Sequence, residues 1–315
     1  MKPGSGKLRE PRGVGMLCAL AATGLGLAYL AAAAAPTRYL VVNAVALLLG
    51  LVALRGFAGP VLRSGRSAGP VLVLLGSCLL ATALFGEPVD GAARWVWIGP
   101  LGVQLSLVVL PTMILAFASR PDPVGMAGIA AAAAALALQP DRAMAGVLAL
   151  ALAVLAAARP GRWAVAALLV AGAAFAATLA RPDSLPAVPY VDRILFTAFD
   201  VHILAGTAVL LGSLLLPVPA IVGWRGDPDR RAAGLVFGAI WLGCVAAAAL
   251  GNYPTPVVGY GGSAILGYLL SLACLPAEVR GSRGLGVAAA KDGSGRLPEL
   301  SERGLPASPR TRLSR

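Results

Sequence analysis

The sequence predicts an all-α fold, a polytopic integral membrane bundle of about ten transmembrane helices. Three observations predict it. Hydrophobic residues make up 58% of the chain and charged residues only 13%. The mean hydropathy is +0.81, more apolar than a soluble domain of 315 residues needs. Apolar runs of bilayer-spanning length recur from Met16 to Pro276, without the polar stripes that a soluble helix bundle would turn to water.

In chain order, residues 1–15 form a cationic segment expected in the cytoplasm. Further spans follow it and no cleavage pattern stands out, so the first span reads as a retained helix. The transmembrane domain is 16–276. Its spans are expected near 16–35, 39–58, 70–86, 101–118, 124–138, 143–158, 163–180, 193–215, 231–250 and 261–276. The spans at 124–138 and 143–158 are short and nearly all Ala, Leu, Val and Gly. Such small side chains let helices approach closely, which places both inside the bundle; a single re-entrant hairpin is the alternative. Residues 277–315, rich in Gly, Ser, Pro and Arg, are expected as a disordered basic cytoplasmic tail.

The charge distribution orients the bundle. With both termini in the cytoplasm, all but five of the 26 Lys and Arg residues fall inside; the five are Arg38, Arg94, Arg142, Arg181 and Arg193. The net charge of +12 therefore reflects membrane topology, and no nucleic-acid partner is implied. Cys18, Cys78, Cys244 and Cys274 all lie within spans and lack metal-ligand spacing, so they read as small packing residues.

Polar, Gly/Pro-rich breaks between spans carry the functional information: Gly91–Ser106 (GAARWVWIGPLGVQLS), Leu138–Arg142 (LQPDR) and Pro254–Ser263 (PTPVVGYGGS), all on the outer side. Gly91-Ala92-Ala93-Arg94-Trp95 with Gly99-Pro100 and Gln104-x-Ser106 resembles a signature of the SEDS family, the FtsW/RodA/SpoVE-type membrane proteins of cell shape, division and sporulation. Leu138-Gln139-Pro140-Asp141 resembles the family's L-Q-P-D turn, and Pro254–Ser263 its P-L-P-F-I-S-Y-G-G-S motif. Val191-Asp192-Arg193-Ile194-Leu195-Phe196, followed by Asp200, is similar to the family's H-T-D-F-I-F and the Glu eight residues on.

The resemblance implies a peptidoglycan glycosyltransferase of the bacterial plasma membrane that polymerises lipid II, partnered by a class B penicillin-binding protein. Asp192 would be the catalytic base. Arg94, Arg142 and Arg193 would hold the departing diphosphate, where guanidinium offers a fork to phosphate oxygens. Gln104, Asp141, Tyr260, Gly261, Gly262 and Ser263 would complete the substrate site. Asp200 would be structural or proton-linked. A divalent cation at the diphosphate is compatible with this chemistry, although no metal-ligand cluster is apparent.

The chain departs from the pattern at several points. Leu107 and Leu110 replace two charged residues of the fourth helix, and the loop at Arg181–Tyr190 is much shorter than the family's. The cation at Arg193 is expected to lower the pKa of Asp192 and make it a poorer base. These departures favour the alternative of a non-catalytic scaffold or regulator of wall synthesis; a flippase for lipid-linked precursors is a second alternative. His202, the single histidine, is expected to make a structural polar contact. Asn43 and Pro111 are read as packing and kink residues.

Overall fold

The computed structural model describes residues 10–56, 68–89, 91–181, 186–224 and 227–276. The expected tail at 277–315, most of the N-terminal segment and the loop around Arg63 and Arg66 lie outside them. The described helices are α1 (Pro11–Ala32), α2 (Thr37–Gly56), α3 (Gly69–Phe85), α4 (Leu105–Ser119), α5 (Pro123–Leu138), α6 (Arg142–Ala158), α7 (Arg162–Leu179), α8 (Ile194–Val201), α9 (Ile203–Leu215), α10 (Val218–Gly223), α11 (Pro228–Leu250) and α12 (Gly262–Leu272). Five stretches are long and apolar enough to cross a bilayer: α1, α2, α7, α9 with α10, and α11. Five shorter apolar helices, α3, α4, α5, α6 and α12, complete the ten expected spans. The chain is a multi-pass helical membrane protein.

Local chemistry sets the helix starts. Asp122, Asp141 and Asp227 cap α5, α6 and α11, accepting from Gly125 N at 2.6 Å, Met144 N at 3.2 Å and Arg230 N at 2.9 Å. Pro123 and Pro228 follow two of these caps, in first-turn positions where a missing N–H costs nothing.

Small residues set the packing. A Cβ at Gly76 of α3 would collide with the Gly128 backbone of α5, and one at Gly128 with the Leu72 backbone, so these helices cross almost backbone to backbone. Gly267 of α12 meets the Leu107 carbonyl of α4 in the same way. The short spans α5 and α6 do lie inside, with Ile129, Ala132, Leu136, Ala145, Leu148 and Leu152 fully buried. Their connecting turn reaches the level of the α4 start, where Ser106 bonds Asp141, so each is a complete crossing like α4 rather than half of a re-entrant hairpin. Cys18 and Cys244 are buried and Cys274 partly so, whereas Cys78 faces outward instead of packing.

Three expected boundaries are corrected. Residues 101–104 of the fourth expected span are not helical: β1 (Trp95–Ile98) and β2 (Leu101–Gln104) form an antiparallel hairpin in the register Trp95↔Gln104 to Ile98↔Leu101. Aromatic and β-branched residues favour that pairing, and Gly99, at φ 58°, supplies the turn. The expected span 193–215 breaks at His202, which is extended at φ −170° and ψ 149° and caps α9 by accepting from Leu204 N at 3.1 Å. The last helix stops at Leu272, short of the expected 276.

Candidate functional site

The hairpin, the Gln139–Asp141 turn and the start of α12 form one polar assembly. Asp141 is 1% exposed. One carboxylate oxygen caps α6, and the other accepts from Ser106 Oγ at 3.0 Å and Gln104 Nε2 at 3.2 Å. A buried carboxylate needs such donors to offset lost hydration. Gln104 N in turn donates to Ser263 Oγ at 3.0 Å, which ties β2 to α12. Arg94 is 4% exposed; its Nε donates to Gln139 O at 3.3 Å and a terminal nitrogen to Pro140 O at 2.5 Å. The guanidinium thus clamps the turn that carries Asp141.

The second assembly holds Asp192. Its Oδ2 accepts from Val188 N at 2.8 Å, and its backbone bridges Pro254. Thr255 N donates to Val191 O at 2.9 Å and Tyr260 N to Tyr190 O at 2.7 Å, so the loop before α8 and the Pro254–Ser263 segment are stitched together along their length. Burial pushes the Asp192 carboxyl above its ordinary range, opposed by the Val188 N–H. The expected lowering by Arg193 is not what governs this group: Arg193 is exposed, where solvent screens its charge. Tyr190, Arg193 and Val257 all adopt positive φ, of 66°, 58° and 68°. Such strain costs of order 1–3 kcal/mol each, and here it surrounds one carboxylate.

Three residues outside the sequence motifs hold this assembly. Asn43 of α2 is fully buried; it donates to Gly259 O at 2.8 Å and accepts from Gly261 N at 3.0 Å, so it anchors the turn instead of merely packing. Tyr39 stacks on Tyr260 with ring centroids 3.7 Å apart and meets Tyr190 edge-on at 5.9 Å. Arg38 lies 5.3 Å over the Tyr39 ring. Burial raises the pKa of the Tyr260 hydroxyl, Tyr39 adds to the shift and Arg38 opposes it. The sequence signal for this group was the Arg38-Tyr39 pair after Pro36, and for Asn43 an amide in mid-span.

The two assemblies meet in the Pro254–Ser263 segment, which bonds Tyr190 at one end and Gln104 at the other. Gly261, at φ 146°, has open space around it, whereas a Cβ at Gly262 would press on Ala46. Arg142 lies at the edge of the first assembly and donates to Thr178 O at 3.4 Å and Arg181 O at 2.9 Å. Asp200 is exposed at the end of α8 and makes no hydrogen bond or ion pair with a described residue, so the expected internal contact is absent there. Among the described residues no three His, Cys, Asp or Glu side chains gather as a metal cage. A magnesium-like ion held mainly by phosphate oxygens would need only one or two carboxylates, and one Asp192 oxygen accepts no hydrogen bond from a described residue.

This arrangement of helices matches solved structures. The crystal structure of the rod shape determining protein RodA of Thermus thermophilus aligns with a TM-score of 0.53, at 20% identity, over 82% of this chain and 93% of that one. The chain has the RodA fold. An aspartate-to-alanine mutant of the same Thermus protein aligns with the same TM-score and identity, over 82% of this chain and 94% of the other. No protein-family model and no curated protein sequence matches the chain. In this chain the motif segments lie between α3 and α4, between α5 and α6, and between α11 and α12.

Proposed function

We propose that this RodA-like chain is a divergent SEDS-family glycosyltransferase of bacterial cell-wall synthesis, acting on lipid II at the outer rim of the plasma membrane beside a class B penicillin-binding protein. One observation carries the reading: the strained loop bearing Asp192 is backbone-paired to the Pro254–Ser263 segment, which is itself bonded to the Gln104–Asp141 network.

In this reading the ionised Asp192 accepts the proton of the attacking sugar hydroxyl while its oxygen bonds the anomeric carbon of a second lipid-linked disaccharide. The bond from that carbon to the diphosphate breaks, and undecaprenyl pyrophosphate leaves with the electron pair. A raised pKa suits a base that must also hold the proton through the step. Arg142 and the exposed Arg193 stabilise charge on the leaving diphosphate. Arg94, Gln104, Asp141 and Ser263 position the rim. Tyr260, Gly261 and Gly262 line the sugar side, with Tyr39 fixing the Tyr260 ring.

The non-catalytic scaffold reading draws on Leu107 and Leu110, whose 6% and 0% exposure puts apolar packing where charges stand in the family pattern. Labelled lipid II, given to purified protein with and without the cognate penicillin-binding protein, separates the two. Polymer that disappears in Asp192→Asn supports the transferase. Its absence from wild type in both conditions, with Asp192→Asn restoring growth to a deletion strain, makes the chain a scaffold.

A further inference from the structure

A groove of about 590 Å³ runs down the flank of the bundle between α6, α7 and α11, within the 300–1,000 Å³ typical of ligand sites. Its length is apolar, walled by Leu150, Phe175 and Ala246, and its mouth is polar, formed by Arg142, Asn252 and Tyr253. From Arg142 to Leu150 the lining follows one face of α6 for about 12 Å, from the rim toward the middle of the bilayer. At the mouth, one terminal nitrogen of Arg142 is used by the Thr178 and Arg181 carbonyls, whereas Nε is shut off from solvent with no partner among the described residues. The guanidinium is a permanent cation whose charge no carboxylate in the groove lining matches, and an anionic oxygen complements it best.

We infer that this groove holds the hydrocarbon chain of a phosphate-bearing membrane lipid, with its phosphate drawn to the Arg142 guanidinium at the mouth. Three features point to such an occupant: a long apolar trough exposed at bilayer depth, a cation at its polar end, and the absence of any acidic residue in its lining. The headgroup end also adjoins the Asp192 loop, because Tyr253 directly precedes Pro254, the backbone partner of Asp192. The inference shares Arg142 with the proposed transferase site, and Ala246→Trp, which leaves that arginine in place, keeps the failures of the two apart.

Native mass spectrometry of the full chain in mild detergent tests it, using phosphatidylglycerol, chain-matched diacylglycerol and inorganic phosphate as probes. Phosphatidylglycerol should be retained at one per chain, and the two partial probes at least about tenfold less well. Arg142→Gln should weaken phosphatidylglycerol retention about tenfold. Arg142 also supports two carbonyls, so Ala246→Trp provides the independent arm: Ala246 is exposed on α11, and a bulky ring there fills the trough without entering the core. It should abolish retention with the melting temperature unchanged. Equal retention by both variants and wild type overturns the inference. So does diacylglycerol binding as well as phosphatidylglycerol, or inorganic phosphate binding unaffected by Ala246→Trp, which would make the mouth a free-anion site. A co-purifying transmembrane partner that Ala246→Trp displaces, with lipid retention unchanged, overturns it equally.

Discussion

Asp192 is the residue whose environment most constrains its chemistry. The fold favours its neutral form, because burial outweighs the single N–H donated by Val188. Its ionisation therefore works against folding: the stability it contributes is present at low pH and is lost as pH rises through the raised value. Asp192→Asn keeps an acceptor for Val188 and removes the charge. At neutral pH its melting temperature in detergent should equal or exceed that of wild type, and the gap should close as pH falls through the raised value. Polymer synthesis should vanish in the same variant. In wild type the acid limb of activity should lie above the ordinary carboxylate value of 3.8. Asp141 is the opposite case, since its carboxylate is satisfied by three donors. Asp141→Ala removes a helix cap and orphans Gln104 and Ser106, and should cost about 2–4 kcal/mol, read as a lower melting temperature. Both aspartates were legible as motif positions. Their division of labour was not, because burial and donor geometry depend on distant carbonyls and amides that no local pattern encodes.

At the scale of elements, the β1–β2 hairpin departs furthest from the uniform helices expected of an apolar chain. Val96, Trp97, Ile98 and Leu101 are 39%, 48%, 63% and 40% exposed, and no charged residue occurs from Trp95 to Ser119. Open strand edges do not survive in hydrocarbon, whereas Trp favours the headgroup layer, so the hairpin tip belongs in the membrane interface. In a variant retaining Trp97 alone, fluorescence should be quenched by lipids brominated near the headgroup and much less by lipids brominated at the chain ends. The helices themselves were readable because ten apolar runs separated by turn residues leave little choice. The hairpin and the His202 break were hidden, since residues 95–104 and 193–215 are apolar enough for helix and only pairing or capping decides otherwise. Close crossings were legible as composition but not as contacts. Gly267→Val would drive a side chain into the Leu107 carbonyl and should abolish accumulation of folded protein, which size-exclusion profiles in detergent would report.

For the whole molecule, the positive-inside distribution predicts one orientation, with both termini in the cytoplasm. Reporter fusions after Arg315 should be active on the cytoplasmic side only; activity on the outer side would invert the rim and separate Asp192 from any lipid II presented there. The motifs converge through hydrogen bonds spanning large sequence separations: Arg94 to the turn at Gln139, Gln104 to Ser263, and Tyr190 to Tyr260. Sequence order foretold that these segments share a face, but not that Asn43, Tyr39 and Tyr190 would splice them. Asn43 and Tyr39 belong to α2, which carries none of the sequence motifs, and Tyr190 ends the loop before Asp192.

Arg12, at the start of the first helix, donates from Nε to Leu275 O at 2.6 Å and from a terminal nitrogen to Ala273 O at 2.8 Å, just past the last helix. The bundle is thus buttoned between its opposite extremities, 263 residues apart along the chain. A ribosome must release almost the entire polypeptide before that fastening can close, so the earliest helices wait in the lipid with an open seam. Chains that terminate before Ala273 lack the fastening altogether and leave that seam open.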